Sequence, residues 1–279
     1  MELKDGIILI NKEANMTSHD VVFKLRKILK TSRIGHTGTL DPNATGVLVI
    51  LLNKACKLLP YLNDTDKEYI ATLQLGCSTT TDDIWGDTID KKSITKISNF
   101  QDELDKFKGK IKQLPPMVSS VRVNGKKLYE YARENKTVER PLRDVEIHNI
   151  NVIDEEELKF SVHCSSGTYI RSLCVDIANN TDNLGCMSSL VRTKVGRFTL
   201  NDCYSLDDIR NNNYEVLPSA HILDHLTKVE YKDIDEVYHG KIITLDVNSD
   251  RVLITHNDEL IAIYDRYNDK QFKSVRGLW

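Results

Sequence analysis

Several features that mark specialised classes of protein are missing from this sequence. No apolar run approaches the roughly 20 residues of a membrane-spanning helix, and the apolar run at residues 6–10 is too short for a secretory signal. The six cysteines form no Cys-x-x-Cys pair, and their spacing fits no zinc motif. We therefore expect reduced thiols in a cytoplasmic protein without a membrane partner.

An excess of charge of either sign is also absent. The 38 Lys and Arg residues nearly balance the 41 Asp and Glu residues, so the net charge is only −3. Composition alone thus gives no sign of nucleic-acid binding, although a mildly acidic protein can carry a locally basic face. The length of 279 residues allows one large domain with a small additional one.

The sequence contains no complete metal-binding motif. His221 and His225 have the spacing of the His-Glu-x-x-His motif, but Ile222 replaces its glutamate and no third ligand can be named. We therefore predict no metal site.

What the sequence does contain is a distinctive stretch at residues 33–52. Its end, residues 47–52, is an unbroken aliphatic run that predicts a strand buried on both faces. Before it lies a loop rich in glycine and threonine, with a single acid, Asp41, followed by Pro42. Proline keeps the preceding residue out of the α region, so Asp41 is expected in an extended or turn conformation. An Asp-Pro turn with a local hydrogen bond is the simpler interpretation, but the many small polar neighbours favour a functional group.

Periodicity predicts the main elements around this loop. A capping-box pattern at residues 17–20 begins a helix, and its basic face suits either solvent or phosphate groups. Alternation predicts a strand at residues 69–76 and a hairpin from residues 145–153 and 158–164. Further helices are expected at residues 98–109 and after Gly167. After about Lys228, short alternating strands predict a small β module.

A basic segment with two tyrosines lies at residues 121–145. The turn signal Asn124-Gly125 is followed by Tyr129 and Tyr131 among basic side chains, including Lys126 and Lys127. Such a segment suits neutralisation of an RNA backbone and base stacking, but a solvated surface explains it equally well.

At residues 35–48 the sequence G-H-T-G-T-L-D-P-N-A-T-G-V-L closely resembles the signature of the TruB-type tRNA pseudouridine synthases. The resemblance extends to K-E-Y before residue 70, V-N-G-K-K-L-Y-E-Y-A-R in the basic segment and S-G-T-Y-I-R-S-L from Ser166. It implies an α+β fold: a mixed, mainly antiparallel sheet with flanking helices and a small C-terminal PUA-like β domain. The implied domains are a catalytic domain at residues 1–228, with an RNA-clamping insertion at about 117–145, and the PUA-like domain at 229–279.

The resemblance also implies a set of site residues. Asp41 would be the nucleophile, with Tyr69 stacked on the target base and Arg171 paired with the catalytic acid. His36, which would fill the space left by the flipped base, Tyr169 and Leu190 would complete the binding of the uridine. The remaining candidates are Asp83 as a supporting residue, Lys12, Lys126 and Lys127 as RNA contacts, and Arg192 as an RNA-phosphate or structural contact.

The resemblance implies an isomerase that acts on uridine 55 in the T-arm of tRNA as a monomer and needs no cofactor. A phosphatase with an aspartyl nucleophile is disfavoured, because it would need a second acid two residues after Asp41, where Asn43 stands. An RNA-binding protein without catalysis, or a chaperone of tRNA folding, remains an alternative.

Overall fold

The computed structural model describes residues 4–62 and 66–279. These residues form two compact units, the first from residues 4–42, 47–62 and 201–279 and the second from residues 43–46 and 66–200. None of the helices in the described residues is long and apolar enough to span a membrane.

In chain order, the strands are β1 (Gly6–Lys12), β2 (Ile34–His36), β3 (Thr45–Leu52), β4 (Lys67–Leu75), β5 (Cys77–Thr79), β6 (Thr88–Lys91), β7 (Gly109–Gln113), β8 (Arg122–Val123), β9 (Lys126–Lys127), β10 (Arg143–Asp154), β11 (Lys159–Cys164), β12 (Gly185–Val195), β13 (Phe198–Thr199), β14 (Thr227–Glu230), β15 (Ile243–Thr244), β16 (Arg251–His256), β17 (Glu259–Arg266) and β18 (Gln271–Gly277). The α-helices are α1 (Ser18–Leu29), α2 (Phe100–Asp105), α3 (Leu128–Arg133), α4 (Ile170–Asn180), α5 (Leu206–Arg210) and α6 (Ile234–Tyr238). Short 3-10 helices lie at Asn53–Tyr61, Leu200–Asp202 and Ser219–Leu223.

In the first unit, α1 and β3 form as predicted. The hydroxyl of Thr17 accepts a hydrogen bond from the backbone of Asp20, whose carboxylate accepts one from the backbone of Thr17, which completes the capping box. The apolar face of α1 packs into a cluster with β1, β3 and α5. Residues 47–52 of β3 are almost completely buried, as expected for a strand covered on both faces.

The first unit also contains a separate sheet near the C-terminus. Its strands lie in the order β14-β16-β17-β18-β15 and enclose an apolar cluster that includes Val237, Tyr264 and Phe272. The three strands predicted after Lys228 are confirmed as β16, β17 and β18. The predicted domain boundary between residues 228 and 229 falls within β14 and stays a prediction.

The second unit is built on an antiparallel sheet. The strand order is β12-β4-β11-β10-β7, and β13 pairs with β12. The first residues of β3, Thr45 and Gly46, add a parallel pairing opposite Val191 and Arg192 of β12. Gly46 has a φ of 109°, and a Cβ on it would lie 2.2 Å from the carbonyl oxygen of Arg192. Only glycine therefore permits this close approach of the two backbones.

Two predictions for the second unit need correction. The helix expected at residues 98–109 is only α2, because the side chain of Asn99 caps it and Gly109, with a φ of 96°, already begins β7. Tyr69 is the third residue of β4 rather than the first of a strand. Three other predictions are confirmed: the β10–β11 hairpin, the β8–β9 turn with positive φ at Asn124 and Gly125, and the helix after Gly167, which is α4.

Candidate active site

The loop that carries Asp41 connects β2 to β3 and is held on both sides of the acid. On one side, the backbone N–H of Leu40 donates to the hydroxyl of Ser18 over 2.8 Å. On the other side, the carbonyl oxygen of Pro42 accepts from the ammonium of Lys12 over 2.9 Å and from the backbone of Met16 over 3.3 Å. These contacts fix the backbone around Asp41, which is itself half-buried. Through these hydrogen bonds, the segment between β1 and α1 also contacts the loop and belongs to this site.

Lys12 lies in the interior of the first unit, among backbone groups. Its side chain is fully buried, and its ammonium donates to the carbonyl oxygens of Glu13, Met16 and Pro42 over 2.8, 2.7 and 2.9 Å. An ammonium enclosed by carbonyl groups does not face a phosphate in solvent. The geometry therefore favours a positioning role for Lys12 in the loop, and the contact with RNA stays a prediction.

His36 lies in the first unit, like Asp41. It is the last residue of β2, pairs in register with Ile50 of β3 and is half-buried. The next residue, Thr37, donates its backbone N–H to the carbonyl of Val49 over 3.1 Å, so the pairing with β3 holds the start of the loop.

The second unit brings three other candidates together on one face of its sheet. Tyr69 of β4 stands opposite Arg192 of β12, and Leu190 stands opposite Ala71. Residues directly opposite each other in an antiparallel pair share a face, so Tyr69, Leu190 and Arg192 are neighbours. All three are buried. The burial of Arg192 favours the structural role over the phosphate contact, the two alternatives predicted for it.

Arg171 connects three segments of the second unit. It is the second residue of α4, and its guanidinium donates to the carbonyl oxygens of Thr81 and Val118 over 2.8 and 2.9 Å. The carboxylate of Asp83 lies 3.8 Å from the same guanidinium. Asp83 is held by the hydroxyl of Thr81 and by the backbone of Trp85, at 2.6 and 3.1 Å. The side chain of Arg171 is thus fixed in orientation, and Asp83 lies beside it.

Gln113 is a residue of this region that the sequence did not reveal. Its side-chain carbonyl accepts from the backbone N–H of Tyr169 over 2.7 Å, and its amide donates to the carbonyl of Tyr169 over 3.0 Å. Tyr169 is the N-terminal cap residue of α4, and Ser172 of that helix bonds to the carbonyl of Leu114. The end of β7 therefore holds the start of α4. A single buried glutamine at a strand end carries no periodic signal.

Comparisons with known proteins identify the family of this chain. The family model described as TruB family pseudouridylate synthase (N terminal domain) matches residues 26–170. A protein of Listeria innocua serovar 6a named tRNA pseudouridine synthase B is 42% identical over 293 aligned residues, which cover 96% of this chain and 95% of the relative. A protein of the same name from Bacillus pumilus is 40% identical and covers 96% of this chain and 94% of the relative. The chain belongs to the TruB family of pseudouridylate synthases.

Solved structures support the same fold for this pseudouridylate synthase. The crystal structure of a Cbf5-Nop10-Gar1 complex contains a chain with a TM-score of 0.75 and 25% identity, covering 100% of this chain and 86% of that one. An archaeal box H/ACA sRNP Nop10-Cbf5 complex gives a TM-score of 0.73 at 21% identity, with coverage of 100% and 87%, and this likeness concerns the fold alone. The predicted family and the predicted fold class, a mainly antiparallel mixed sheet with a small C-terminal β sheet, are confirmed.

A second residue of this pseudouridylate synthase that the sequence did not reveal is Lys67, two residues before Tyr69. Burial lowers the pKa of its ammonium to about 8, and the positive charge of Arg192 acts in the same direction. Its ammonium donates to the hydroxyl of Ser166 over 3.3 Å. The start of β4 therefore carries a lysine that is partly neutral near physiological pH.

The pKa values of two acids in the second unit, Asp82 and Asp176, are also perturbed. Burial raises the pKa of Asp82, and the charges of Arg171 and Arg140 oppose that rise. Burial and the neighbouring charge of Asp82 raise the pKa of Asp176 to about 6. Such clusters of perturbed groups are typical of functional sites.

The basic segment of this enzyme is a surface hairpin followed by α3. The ammonium of Lys126 pairs with the carboxylate of Glu134 and lies 4.9 Å from the ring centre of Tyr131. The ammonium of Lys127 lies 5.5 Å from the ring centre of Tyr129. The basic and aromatic side chains therefore form one connected surface, consistent with either predicted interpretation of this segment.

Proposed function

We propose that this protein isomerises uridine 55 in the T-arm of tRNA to pseudouridine. The observation that carries the proposal is the identity of about 40% over nearly the whole chain with proteins named tRNA pseudouridine synthase B. We further propose that it acts as a monomer in the cytoplasm and that residues 229–279 act as a PUA-like domain.

In this proposal Asp41 is the nucleophile. The hydrogen bonds to Leu40 and Pro42 support it, because a carboxylate that must attack one atom of a bound nucleotide needs a rigid backbone. A carboxylate that loses water when a base covers it tends to take up a proton, and a guanidinium opposes this by roughly 1–3 pKa units. We assign that part to Arg171, since arginine stays charged where a lysine would deprotonate.

The reaction conserves every atom of the uridine. The carboxylate of Asp41 bonds to C1′ of the ribose or to C6 of the base, and the bond between N1 and C1′ breaks. The uracil turns, C5 bonds to C1′ and the carboxylate is released. A proton leaves C5 and N1 gains one, so the product is an isomer and no cofactor is required. Tyr69 is the group that we assign to the removal of the C5 proton.

The other candidates would bind the RNA and the flipped base. Extruding a stacked base costs a few kcal/mol, and His36 would fill the space that the base leaves. Tyr169 and Leu190 would line the uracil pocket, with Asp83 orienting Arg171. Lys126 and Lys127 would grip the T-arm, while the buried Lys12 and Arg192 would act through the protein interior.

The test is a T-arm RNA hairpin tritiated at C5 of uridine 55. The proposal predicts that the wild-type protein releases tritium in step with the formation of one pseudouridine per hairpin. A hairpin tritiated at another uridine, with cytidine at position 55, should bind and release none. If the protein binds the first hairpin without releasing tritium, the alternative of an RNA-binding or tRNA-folding protein without catalysis is supported instead.

A further inference from the structure

A cluster of two histidines and one aspartate lies on the outward face of the sheet in the second unit. It consists of Asp66, directly before β4, His148 in β10 and His163 in β11. His163 is paired with Glu68, and Asp66 precedes Glu68 by two residues, so the alternation of the strand puts both on that face. A β-bulge between Ile147 and Asn149 brings His148 to the same face. The bulge is visible in the burial pattern, because Ile147 and Ile150 are both buried with two outward residues between them.

The distances within this cluster match the spacing of ligands around one metal ion. The Nε2 atoms of His148 and His163 lie 3.2 and 3.8 Å from Oδ2 of Asp66, and one ligand atom from each residue lies within 4.8 Å of the others. Nitrogen and oxygen ligands at about 2.0–2.1 Å from a tetrahedral Zn²⁺ are separated from one another by roughly 3.3 Å. Small rotations of the side chains therefore suffice to bring all three onto one ion.

The surroundings of His148 also suit a ligand. Its Nε2 atom is buried and has no hydrogen bond, although the carboxylate of Asp66 is close by. A buried polar atom without a hydrogen bond is costly unless another partner is supplied. On the other side of the ring, Nδ1 lies 3.9 Å from the carboxylate of Glu146. Metal-binding histidines commonly have a carboxylate behind the ring, where it orients the ligand.

We propose that Asp66, His148 and His163 form a binding site for a divalent transition-metal ion, with Zn²⁺ as the best match. Imidazole nitrogen suits Zn²⁺ and its neighbours in the transition series, whereas Mg²⁺ and Ca²⁺ require oxygen ligands. With three protein ligands, water completes the coordination. The ion would fasten the chain that enters β4 to β10 and β11, three residues before Tyr69. The site is separate from the proposed reaction, which needs no metal.

The competing interpretation is an ordinary ion pair between the aspartate and protonated histidines. The chain offers a matched control for this interpretation, since His256 lies 3.7 Å from the carboxylate of Glu230, and no third His, Cys, Asp or Glu of the described residues completes a cluster there. A histidine paired with one carboxylate binds a metal ion far more weakly than a set of three ligands. Variants of the two sites therefore distinguish a metal site from a pair of surface charges.

The experiment is a calorimetric titration of the full chain with Zn²⁺ at neutral pH, after treatment with a chelator. The proposal predicts one ion per chain, and His148→Ala or His163→Ala should weaken binding by about 100-fold or more. His256→Ala should leave the stoichiometry and affinity unchanged. Asp66→Asn keeps the shape of the side chain and should also weaken binding. It serves as the test if either alanine variant fails to fold. Saturation at 100 times the dissociation constant should raise the melting temperature of the wild type by roughly 5 °C.

Co²⁺ identifies the ligands directly. The proposal predicts a visible spectrum of tetrahedral Co²⁺ without thiolate charge-transfer bands, and its loss in His163→Ala. A spectrum with thiolate bands would assign the metal to the cysteines and overturn the proposal. The absence of Zn²⁺ binding by the wild type, or binding that survives replacement of both histidines, would overturn it as well.

Discussion

The ammonium of Lys12 donates to the carbonyl oxygen of Pro42 over 2.9 Å and so holds the residue that follows Asp41. Two further carbonyl groups share the same ammonium. The segment before α1 and the loop before β3 are therefore joined through one buried charge. The loop at residues 11–18 thus has a physical function in this chain, which is to position the loop with the acid.

Replacement of Lys12 tests that function. Lys12→Met keeps the apolar stem but removes the ammonium that the carbonyl groups of Glu13, Met16 and Pro42 share, which should cost roughly 1–3 kcal/mol in the free energy of unfolding. The reaction rate should fall about tenfold or more, because the loop loses its anchor, while RNA affinity changes less than twofold. Urea denaturation, tritium release and RNA binding measure the three quantities. The control is Lys232→Met, at an exposed position. A loss of RNA affinity in Lys12→Met alone would support the predicted contact of Lys12 with RNA.

The contact between Gly46 and Arg192 predicts a strong effect on stability. Gly46→Ala places a Cβ 2.2 Å from a backbone oxygen at a φ of 109°, which should cost roughly 3 kcal/mol or more. Gly240→Ala is the matched control, because its φ is 65° and nothing lies within 4 Å of the added Cβ. Its cost should be only about 1 kcal/mol. Equal losses in urea denaturation would show that the approach of β3 to β12 does not depend on glycine.

The lowered pKa of Lys67 predicts a dependence of stability on pH. Between about pH 8 and pH 10.5 the unfolded chain binds a proton at Lys67 that the folded chain does not, so this group makes stability rise with pH across that window. At pH 7 the buried ammonium is a cost, which Lys67→Met removes. The free energy of unfolding of Lys67→Met should therefore exceed that of wild type by the largest amount at pH 7.

The stability advantage of Lys67→Met over wild type should decline by up to about 3 kcal/mol towards pH 10, since 1 pKa unit corresponds to about 1.4 kcal/mol. Urea denaturation of both proteins at pH 7, 8.5 and 10 measures the decline, and changes at other groups cancel in the difference. The exposed Lys232→Met should show no such trend. A difference independent of pH would contradict the assigned role of burial.

The basic hairpin predicts a salt-dependent loss of RNA affinity. The double variant Lys126→Gln, Lys127→Gln removes two positive charges, so the slope of log affinity against log salt should decrease by roughly 1–2. The rate at saturating RNA should change little, because these residues grip the RNA and do not react. A normal affinity with an unchanged slope would identify the hairpin as a solvated surface.

Local patterns predicted much of this structure. The capping box at Thr17 and the aliphatic run in β3 specify their elements through neighbours in sequence, and both are confirmed. The predicted bounds of α2 were wrong at both ends. Ser98 and Asn99 both resemble cap residues, and the structure shows that Asn99 is the cap. The helix ends at Asp105, before Gly109 begins β7. Tyr69 was predicted as the first residue of a strand but is the third residue of β4. The strand lies between β12 and β11, and sequence alternation does not reveal these pairings.

Long-range relationships account for what the sequence did not reveal. The proposed metal ligands Asp66, His148 and His163 come from three separate strand regions and match no spacing motif. The prediction of no metal site rested on His221 and His225 and did not consider these three residues. Gln113 acts on Tyr169, 56 residues away, through two hydrogen bonds that no periodicity predicts. The three carbonyl partners of Lys12 are backbone groups, which leave no trace in the sequence.

The role of Asp41 is tested most directly by comparing Asp41→Asn with Asp258→Asn, an exposed turn residue, in tritium release and in binding of the T-arm hairpin. If Asp41 is the nucleophile, Asp41→Asn should bind the hairpin as tightly as wild type but release no tritium, while Asp258→Asn should match wild type in both. Tritium release by Asp41→Asn at a rate near that of wild type would contradict the assignment of Asp41 as nucleophile.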